Sequence, residues 1–235
     1  MRARVGIALL VAVACSQTAR PREAPRSDRD AEIERRADEL VARATRNEPA
    51  ASQLLQTIAR QVDGSLAGFK DRLKTRASTA RKIRTTLANH PQLSIATVDL
   101  GDSLRYTLVV GDDPPGRHAD AIRTTFAALS ELGHTVKQVK NYWPCCDNYS
   151  GVNSVVVAPD GLAWELQFHT SVSYRIKASD HELYEQLRAD DTAIEIKREA
   201  YRKLAAPWQS VPVPKDMLVP HALHPSEEII LLPPP

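Results

Sequence analysis

The chain has 235 residues, 43% of them hydrophobic, which is enough to bury the core of one domain and to leave residues for extensions. Its 31 Lys and Arg residues nearly balance 29 Asp and Glu residues, giving a net charge of +2, so the composition does not indicate a general nucleic-acid-binding protein. The three cysteines, Cys15, Cys145 and Cys146, have neither the spacing of a zinc site nor the number needed for a disulfide framework.

Residues 1–15, MRARVGIALLVAVAC, predict a signal peptide for export. Two arginines precede an apolar run that is too short to span a bilayer. The end of this segment also resembles a bacterial lipobox, in which Cys15 would be lipidated, while Ala12 and Ala14 equally fit an ordinary cleavage site. We therefore expect an exported protein, either secreted or attached to a membrane as a lipoprotein, with residues 16–29 as a flexible tether.

Helical spacing of apolar residues begins after this tether, and a folded domain is predicted over residues 30–205. The spacing predicts one helix over about residues 31–46 and a second over about residues 51–62. Asn47 and Pro49 lie between them and are expected to break the helix, because proline has no N–H to donate.

Segments rich in β-formers follow, separated by turn residues. The predicted strands are 104–110, 135–141, 152–159 and 162–170, the last two forming a hairpin through PDG. The predicted later helices are one that ends at Gly133, one over about 177–188 and one over about 192–204, followed by an irregular proline-rich tail over 206–235. This order predicts an α+β fold, with a small mixed β-sheet flanked by helices.

The most basic segment of the chain is 69–84, FKDRLKTRASTARKIR, with seven basic residues and one acid. A helix through Ser78 and Lys82 would place these two side chains on one face, one turn apart, with Arg72 and Lys74 just before it. Several cations and a hydroxyl that converge in this way suit a polyphosphate ligand. A solvated basic helix face explains the same composition equally well.

The predicted strand 162–170 contains ELQFHT, in which polar and apolar residues alternate. Alternation places Glu165, Gln167 and His169 on one face of the strand and the large apolar residues on the other. This pattern is typical of a strand that carries active-site side chains on one side and packs on a core with the other, although an ordinary amphipathic strand shows it too.

Taken together, these segments resemble the synthetase domain of the RelA/SpoT family, the (p)ppGpp synthetases, in a small synthetase-only form. The spacing Arg-x-Lys-x-x-x-Ser-x-x-x-Lys that starts at Arg72, Arg105 in the first predicted strand, YSGVNS and ELQFHT occur in the order of the family's motifs. The resemblance covers about residues 60–190 and implies a nucleotidyltransferase-like synthetase fold. The chain also resembles the secreted ATP nucleotide 3′-pyrophosphokinases, which modify purine nucleotides broadly.

The resemblance implies roles for individual residues. The residues expected to bind ATP are Arg72, Lys74, Ser78, Lys82 and Arg105, with the two arginines on either side of the adenine. The residues expected to bind the acceptor are Tyr149, Asn153, Gln167 and His169, with Tyr149 stacking on the base. Asn153 and His169 stand where the family has His and Arg, which leaves open how the acceptor phosphate is bound and which acceptor is used.

Glu165 is the expected catalytic carboxylate, which would help to bind magnesium and activate the attacking hydroxyl. The family's second magnesium-binding acid corresponds here to Leu100. Asp102 shares strand parity with that position and is predicted to replace it as a catalytic and metal-binding residue, with Asp99 as the second choice. Mg²⁺ is accordingly the expected cofactor, and a chain in which neither acid binds metal would be a degenerate relative.

The implied function is that of an exported nucleotide pyrophosphokinase. It would transfer pyrophosphate from ATP to the 3′-hydroxyl of a purine nucleotide, giving (p)ppApp- or (p)ppGpp-type products and AMP. Two alternatives stay open, a non-catalytic nucleotide-binding surface module and a toxin-like relative that acts on tRNA. DNA binding is not expected, and the sequence does not indicate the oligomeric state.

Overall fold

The structure is a computed structural model that describes residues 26–144, 148–180, 183, 187, 192–219 and 221–229. The predicted signal peptide with Cys15, most of the predicted tether, and Cys145 and Cys146 lie outside the described residues. In the part of the chain that is described, no helix is both long enough and apolar enough to cross a membrane.

Five helices and six strands have described bounds and are numbered here in chain order, and Leu183 and Leu187 are helical as well. The helices are α1 Arg26–Gln61, α2 Arg76–Asn89, α3 Arg117–Glu131, α4 Ser171–Ser179 and α5 Ile194–Trp208. The strands are β1 Ser65–Ala67, β2 Arg105–Val109, β3 Thr135–Asn141, β4 Val152–Val157, β5 Ala163–His169 and β6 Glu227–Ile229. Two single-turn 3₁₀ helices, Phe69–Asp71 and Ile95–Thr97, lie between these elements.

The strands form one mixed sheet in the order β1-β2-β5-β4-β3-β6. The β2–β5 and β3–β6 pairs are parallel, and the remaining neighbours are antiparallel. Together with the flanking helices, this sheet confirms the predicted α+β fold with a small mixed sheet. The predicted strands 104–110, 135–141, 152–159 and 162–170 correspond to β2, β3, β4 and β5.

The first helix is continuous through Pro49, so the predicted break between two helices is wrong. Apolar side chains on both sides of the proline are buried. Those before it, Ile33, Ala37 and Leu40, pack with α2, and those after it, Leu55 and Ile58, pack in the main core. A proline in a helix interior costs about 3 kcal/mol, and burial of several side chains of this size outweighs that cost. The tertiary contacts of both halves therefore keep the helix in one piece.

Two hydrophobic clusters hold the described chain together. The main core lies against the sheet and includes Leu108, Leu166 and Phe168, none of which is exposed to solvent. The second cluster joins α1 to α2 and to the segment before β2, and Leu100 is buried in it. Leu100, which stands at the family's acidic position, is therefore a packing residue in this chain.

Of the helix predicted over about 177–188, Leu183 and Leu187 are helical, and most of the remaining residues lie outside the described ones. A helix that the sequence analysis does not predict, α4, begins earlier, at Ser171 directly after β5. The reason is a capping box, in which the side chains of Thr170 and Ser173 each accept a hydrogen bond from the other's backbone N–H. The sequence shows this signal as TSVS, directly after the strand. The last helix, α5, extends through Pro207, beyond its predicted end.

The segment predicted as a proline-rich tail contributes to the sheet and to the core. It contains the strand β6, which the sequence analysis does not predict and which pairs in parallel with β3. Trp208, Met217 and Leu223 are buried in the main core. A strand this short, flanked by loop residues, shows too little alternation of polar and apolar residues to be predicted from its own sequence. We infer that β6 forms because it pairs with β3.

Candidate active site

One face of the sheet carries polar side chains in two adjacent rows. The parallel register of β2 and β5 pairs Arg105 with Glu165 and Thr107 with Gln167. The neighbouring strand β4 places Asn153 opposite Gln167. The alternate residues of β5 are buried in the main core, so the faces are divided as the alternation of ELQFHT predicts.

A cluster of two lysines and one carboxylate lies at the start of β2. Oδ2 of Asp102 accepts a hydrogen bond from Nζ of Lys74 at 2.8 Å and lies 2.5 Å from Nζ of Lys82. Oδ1 of the same carboxylate is buried and has no hydrogen-bond partner among the described residues. Burial opposes ionisation of Asp102, but the two ammonium groups outweigh it and lower the pKa of Asp102.

Local backbone structure explains why these three residues meet. The segment before α2 runs antiparallel beside the start of β2, through a bridge between Leu73 and Leu104 and a hydrogen bond from the N–H of Lys74 to the carbonyl of Ser103. The side chain of Thr75 then caps α2 by accepting a hydrogen bond from the N–H of Ser78. The predicted helix of the basic segment is confirmed, with Ser78 in its first turn and Lys82 one turn later.

The guanidinium of Arg72 is fixed by neighbours that the sequence analysis does not identify. Its Nε donates to Oε1 of Glu48 at 2.5 Å, and its Cζ lies 4.2 Å from the centre of the Phe69 ring. Glu48 in turn accepts a hydrogen bond from Ser52, whose hydroxyl lies 2.8 Å from that of Tyr106. Burial raises the pKa of Tyr106 to about 12, so this phenol remains protonated and can take part in the network.

The residues expected to bind the acceptor form a compact neutral group. The Tyr149 hydroxyl donates to Oδ1 of Asn153 at 2.7 Å and lies 3.0 Å from Nε2 of His169. Nδ1 of His169 lies 3.0 Å from the hydroxyl of Ser173. Burial lowers the pKa of His169 well below its usual value, so the imidazole is uncharged at neutral pH. It therefore does not reproduce the charge of the family's arginine.

Tyr149 is also enclosed by aromatic side chains. Its ring meets those of Tyr142 and His169 edge-to-face, at 5.3 and 5.4 Å between centroids, and that of Trp208 in a tilted arrangement at 5.6 Å. Burial raises the pKa of Tyr149 well above its ordinary value, so the phenol is neutral. Stacking of the acceptor base on this ring stays a prediction.

Lys177 on α4 is the main residue of this face that the sequence analysis misses. Its ammonium donates to Oε1 of Gln167 and, at 3.4 Å, to Oγ1 of Thr107. Gln167 connects Lys177 to Glu165, because its Nε2 donates a hydrogen bond to Oε1 of Glu165 at 2.9 Å. In the sequence Lys177 only marks the start of a predicted helix, and the capping box that positions it is the signal that could have revealed it.

No family model and no curated protein sequence matches this chain. Solved structures do match it. Small alarmone synthetase 1 from Bacillus subtilis is 13% identical, with 73% of this chain and 90% of that chain covered and a TM-score of 0.51. The chain has the fold of the small alarmone synthetases.

A GTP pyrophosphokinase family protein from Streptococcus pneumoniae is 16% identical, with 73% of this chain and 87% of that chain covered and a TM-score of 0.50. A complex of the Type VI effector Tas1 with its immunity protein matches at 19% identity and a TM-score of 0.45, with 73% and 94% covered. At the level of the fold, the first two structures confirm the resemblance that the motifs predict.

The predicted magnesium ligands are Asp102 and Glu165, with Asp99 as the second choice to Asp102. Among the described residues, no three His, Cys, Asp or Glu side chains are grouped so that they could hold a metal by themselves. Magnesium in nucleotide sites is commonly bound by one or two carboxylates together with substrate phosphates and water, so a three-residue cluster is not required. The buried, unpartnered Oδ1 of Asp102 fits such a ligand, whereas Asp99 is exposed and its Oδ1 accepts the N–H of Leu100.

Proposed function

We propose that this chain transfers pyrophosphate from ATP to the 3′-hydroxyl of a purine nucleotide, releasing AMP. The observation that carries the proposal is the cluster of Lys74, Lys82 and Asp102 beside the paired Arg105 and Glu165, on a sheet with the synthetase fold. Cations, a general base and carboxylate ligands for a metal are what phosphoryl-transfer sites require, because such sites act mainly by alignment and charge neutralisation.

The donor nucleotide would lie on the basic segment. Lys74 and Lys82, together with the hydroxyl of Ser78, would contact the triphosphate. The adenine would lie between the guanidinium groups of Arg72 and Arg105, where cation–π stacking favours arginine over lysine. Phe69 already supports one of these guanidinium groups from behind, so the stack would be ordered before the base arrives.

The cluster around Asp102 implies that donor and metal bind together. In the described structure both lysines contact this carboxylate, which balances only one of their two positive charges. A triphosphate competes for the same two ammonium groups, and as they turn to it the carboxylate becomes available to a divalent cation. When bound by Asp102, Glu165 and the phosphates, magnesium would neutralise charge on the phosphoryl oxygens.

The transfer itself involves one bond made and one broken. The acceptor 3′-oxygen forms a bond to the β-phosphorus of ATP, and the bond between that phosphorus and the oxygen bridging it to the α-phosphate breaks, so that AMP leaves with the electron pair. Glu165 would take the proton of the attacking hydroxyl, and the hydrogen bond of 2.9 Å from Nε2 of Gln167 to Oε1 of Glu165 supports this role by orienting the carboxylate.

Acceptor choice and location are further parts of the proposal. Asn153 and the uncharged His169 stand where the family has His and Arg, and this replacement fits a relaxed acceptor choice, so we propose that adenine nucleotides are accepted as well as guanine nucleotides. We also propose that the chain acts after export, either secreted or lipidated at Cys15, in a segment outside the described residues.

The test is a magnesium-dependent assay with ATP labelled at the β- and γ-phosphates and with ATP, ADP, GDP or GTP as acceptor. We expect AMP and a 3′-pyrophosphorylated nucleotide from the wild-type chain, and neither from Glu165→Gln. Binding of ATP without any transfer would favour the non-catalytic nucleotide-binding module. Label transferred to added tRNA, but to no free nucleotide, would favour the tRNA-directed relative. Strict use of GDP and GTP would refute the broad acceptor choice.

A further inference from the structure

The residues expected to bind the acceptor carry no positive charge at neutral pH. Tyr149, Asn153 and Gln167 are neutral by their chemistry, and burial keeps the imidazole of His169 neutral. A nucleotide acceptor brings several negative charges into this half of the site. Neutral hydrogen-bond donors bind phosphate more weakly than charged ones, so this half of the site needs a cation from another element.

Lys177 places an ammonium group on this half from α4. Its two partners, the side-chain oxygens of Gln167 and Thr107, come from adjacent residues of β5 and β2. An ammonium group has three N–H donors, so two contacts do not exhaust it. The amine is therefore positioned by the sheet and retains the capacity to bind a ligand.

Lys177 contacts the sheet at a point away from Glu165, where the transfer would occur. Its partner Gln167 lies two residues beyond Glu165 on the same strand, about 7 Å farther along. In a nucleotide the 5′-phosphate and the 3′-hydroxyl project from opposite sides of the ribose. An acceptor whose 3′-hydroxyl lies at Glu165 can extend its 5′-phosphates along the strand toward Gln167 and Lys177.

The surroundings of Lys177 favour an anionic ligand. Lys74 and Lys82 share the carboxylate of Asp102, whereas the hydrogen bonds of Lys177 in the described part of the chain are with neutral oxygens, and Glu165 attracts its ammonium only from a distance. Burial, followed by repulsion from Arg105, lowers the pKa of Lys177 to about 8, which still leaves the amine mostly protonated at pH 7. A partly buried cation of this kind is stabilised when an anion binds beside it.

We propose that Lys177 binds the 5′-phosphate groups of the acceptor nucleotide and contributes the positive charge that His169 lacks. The proposal rests on the proposed function, because the nature of the acceptor as a nucleotide comes from there. It names a specificity-determining residue of the acceptor site that lies outside every motif of the sequence analysis.

The experiment measures acceptor binding without turnover. The donor site is first saturated with magnesium and α,β-methylene-ATP, whose bridging carbon prevents transfer. ADP, GDP, adenosine and guanosine are then titrated by calorimetry into the wild-type chain, Lys177→Met and the matched control Lys203→Met, whose lysine is exposed on α5. We expect ADP and GDP to bind about 10- to 100-fold more weakly to Lys177→Met, with nucleoside affinity and the Lys203→Met variant unchanged.

Several results would overturn this assignment. Unchanged nucleotide affinity in Lys177→Met would do so, and so would an equal loss for nucleosides and nucleotides, which indicates a distorted site. Weaker binding of α,β-methylene-ATP alone would assign the lysine to the donor, and a wild-type chain that binds no acceptor nucleotide would also refute the proposal. Lys177→Gln serves as a second neutral variant, and Lys177→Arg should retain most of the affinity, so a folding defect in one variant does not decide the outcome.

The two proposals fail in different ways. A wild-type chain that binds ADP or GDP through Lys177 but transfers no pyrophosphate refutes the proposed function and leaves the phosphate site standing. A chain that transfers pyrophosphate with the same acceptor affinity and the same KM in Lys177→Met refutes the phosphate site and supports the proposed function.

Discussion

Glu48 fixes the orientation of the Arg72 guanidinium. The carboxylate accepts a hydrogen bond from Nε, and the guanidinium lies over the Phe69 ring, so under the proposed function its orientation would be set before a base binds. No motif marks Glu48, because its partner is 24 residues away and the contact depends on α1 staying helical through Pro49. Pairings between distant elements of this kind cannot be predicted from local spacing.

Replacing Glu48 by Gln should therefore weaken ATP binding more than it slows transfer. We expect the KM for ATP to rise about 3- to 10-fold with a smaller change in kcat, because an ordered guanidinium loses part of its preorganisation. Steady-state kinetics with varied ATP measures both constants. Glu39→Gln on the same helix, where the carboxylate is exposed and pairs with Arg36, is the matched control. An equal effect of the two substitutions would contradict the positioning role.

We expect substitutions of Asp102 and Asp99 to differ in their effect on the reaction, although the two residues are only three positions apart. Asp102→Asn should lower kcat about 100-fold or more and raise the magnesium concentration needed for half-maximal rate, because it removes a charge that would face the metal and leaves Lys74 and Lys82 without their shared carboxylate. Asp99→Asn should leave both quantities within about twofold, since Asp99 is exposed. Magnesium titrations of the rate distinguish the two, and the reverse result would make Asp99 the ligand.

At the scale of elements, the parts of the fold that carry strong local periodicity are the parts that the sequence predicts. The alternation in β5 gives the correct face for Glu165 and Gln167, and the turn at PDG gives the β4–β5 hairpin. The strand β6 and the continuity of α1 are missed because both depend on distant partners, β3 for the strand and the two cores for the helix. The missed contacts of the site, from Glu48 and Lys177, have the same origin.

The close approach of β4 and β5 gives a prediction for Gly151, just before β4. A Cβ at this position would lie 2.7 Å from Cε1 of His169 and 3.1 Å from the carbonyl oxygen of Phe168. Gly151→Ala should therefore lower the free energy of unfolding by about 1–3 kcal/mol, because overpacking forces the strands or the imidazole to move. Chemical denaturation measures this change.

The control for that prediction is Gly111→Ala. No heavy atom lies within 4 Å of a Cβ added at Gly111, so crowding does not penalise the substitution. We expect its free energy of unfolding to stay within about 0.5 kcal/mol of the wild type or to rise slightly, as the unfolded chain loses entropy. Equal destabilisation by both substitutions would mean that the contact with His169 does not limit the position.

At the scale of the whole molecule, the histidines make folding sensitive to mild acid. Burial lowers the pKa of His118, His134, His169 and His224 from the usual 6.5, and His118 and His169 are both fully buried. The folded state therefore binds protons less readily than the unfolded state. Stability linked to these groups is complete above the unfolded pKa of about 6.5 and is lost as the pH falls below it.

We accordingly expect the free energy of unfolding to be nearly constant from pH 7.5 to 7 and to fall from pH 6.5 to 5, by up to about 1.4 kcal/mol per pH unit for each fully shifted histidine. Urea denaturation at several pH values measures the slope. The carboxylates with lowered pKa, such as Asp102, act only at lower pH, because their stabilisation is lost below their unfolded pKa values of about 4.

His118→Gln should reduce the slope of unfolding free energy against pH, and His221→Gln, at an exposed position, should leave it unchanged. A slope that is the same in both variants would show that the acid sensitivity arises elsewhere in the molecule.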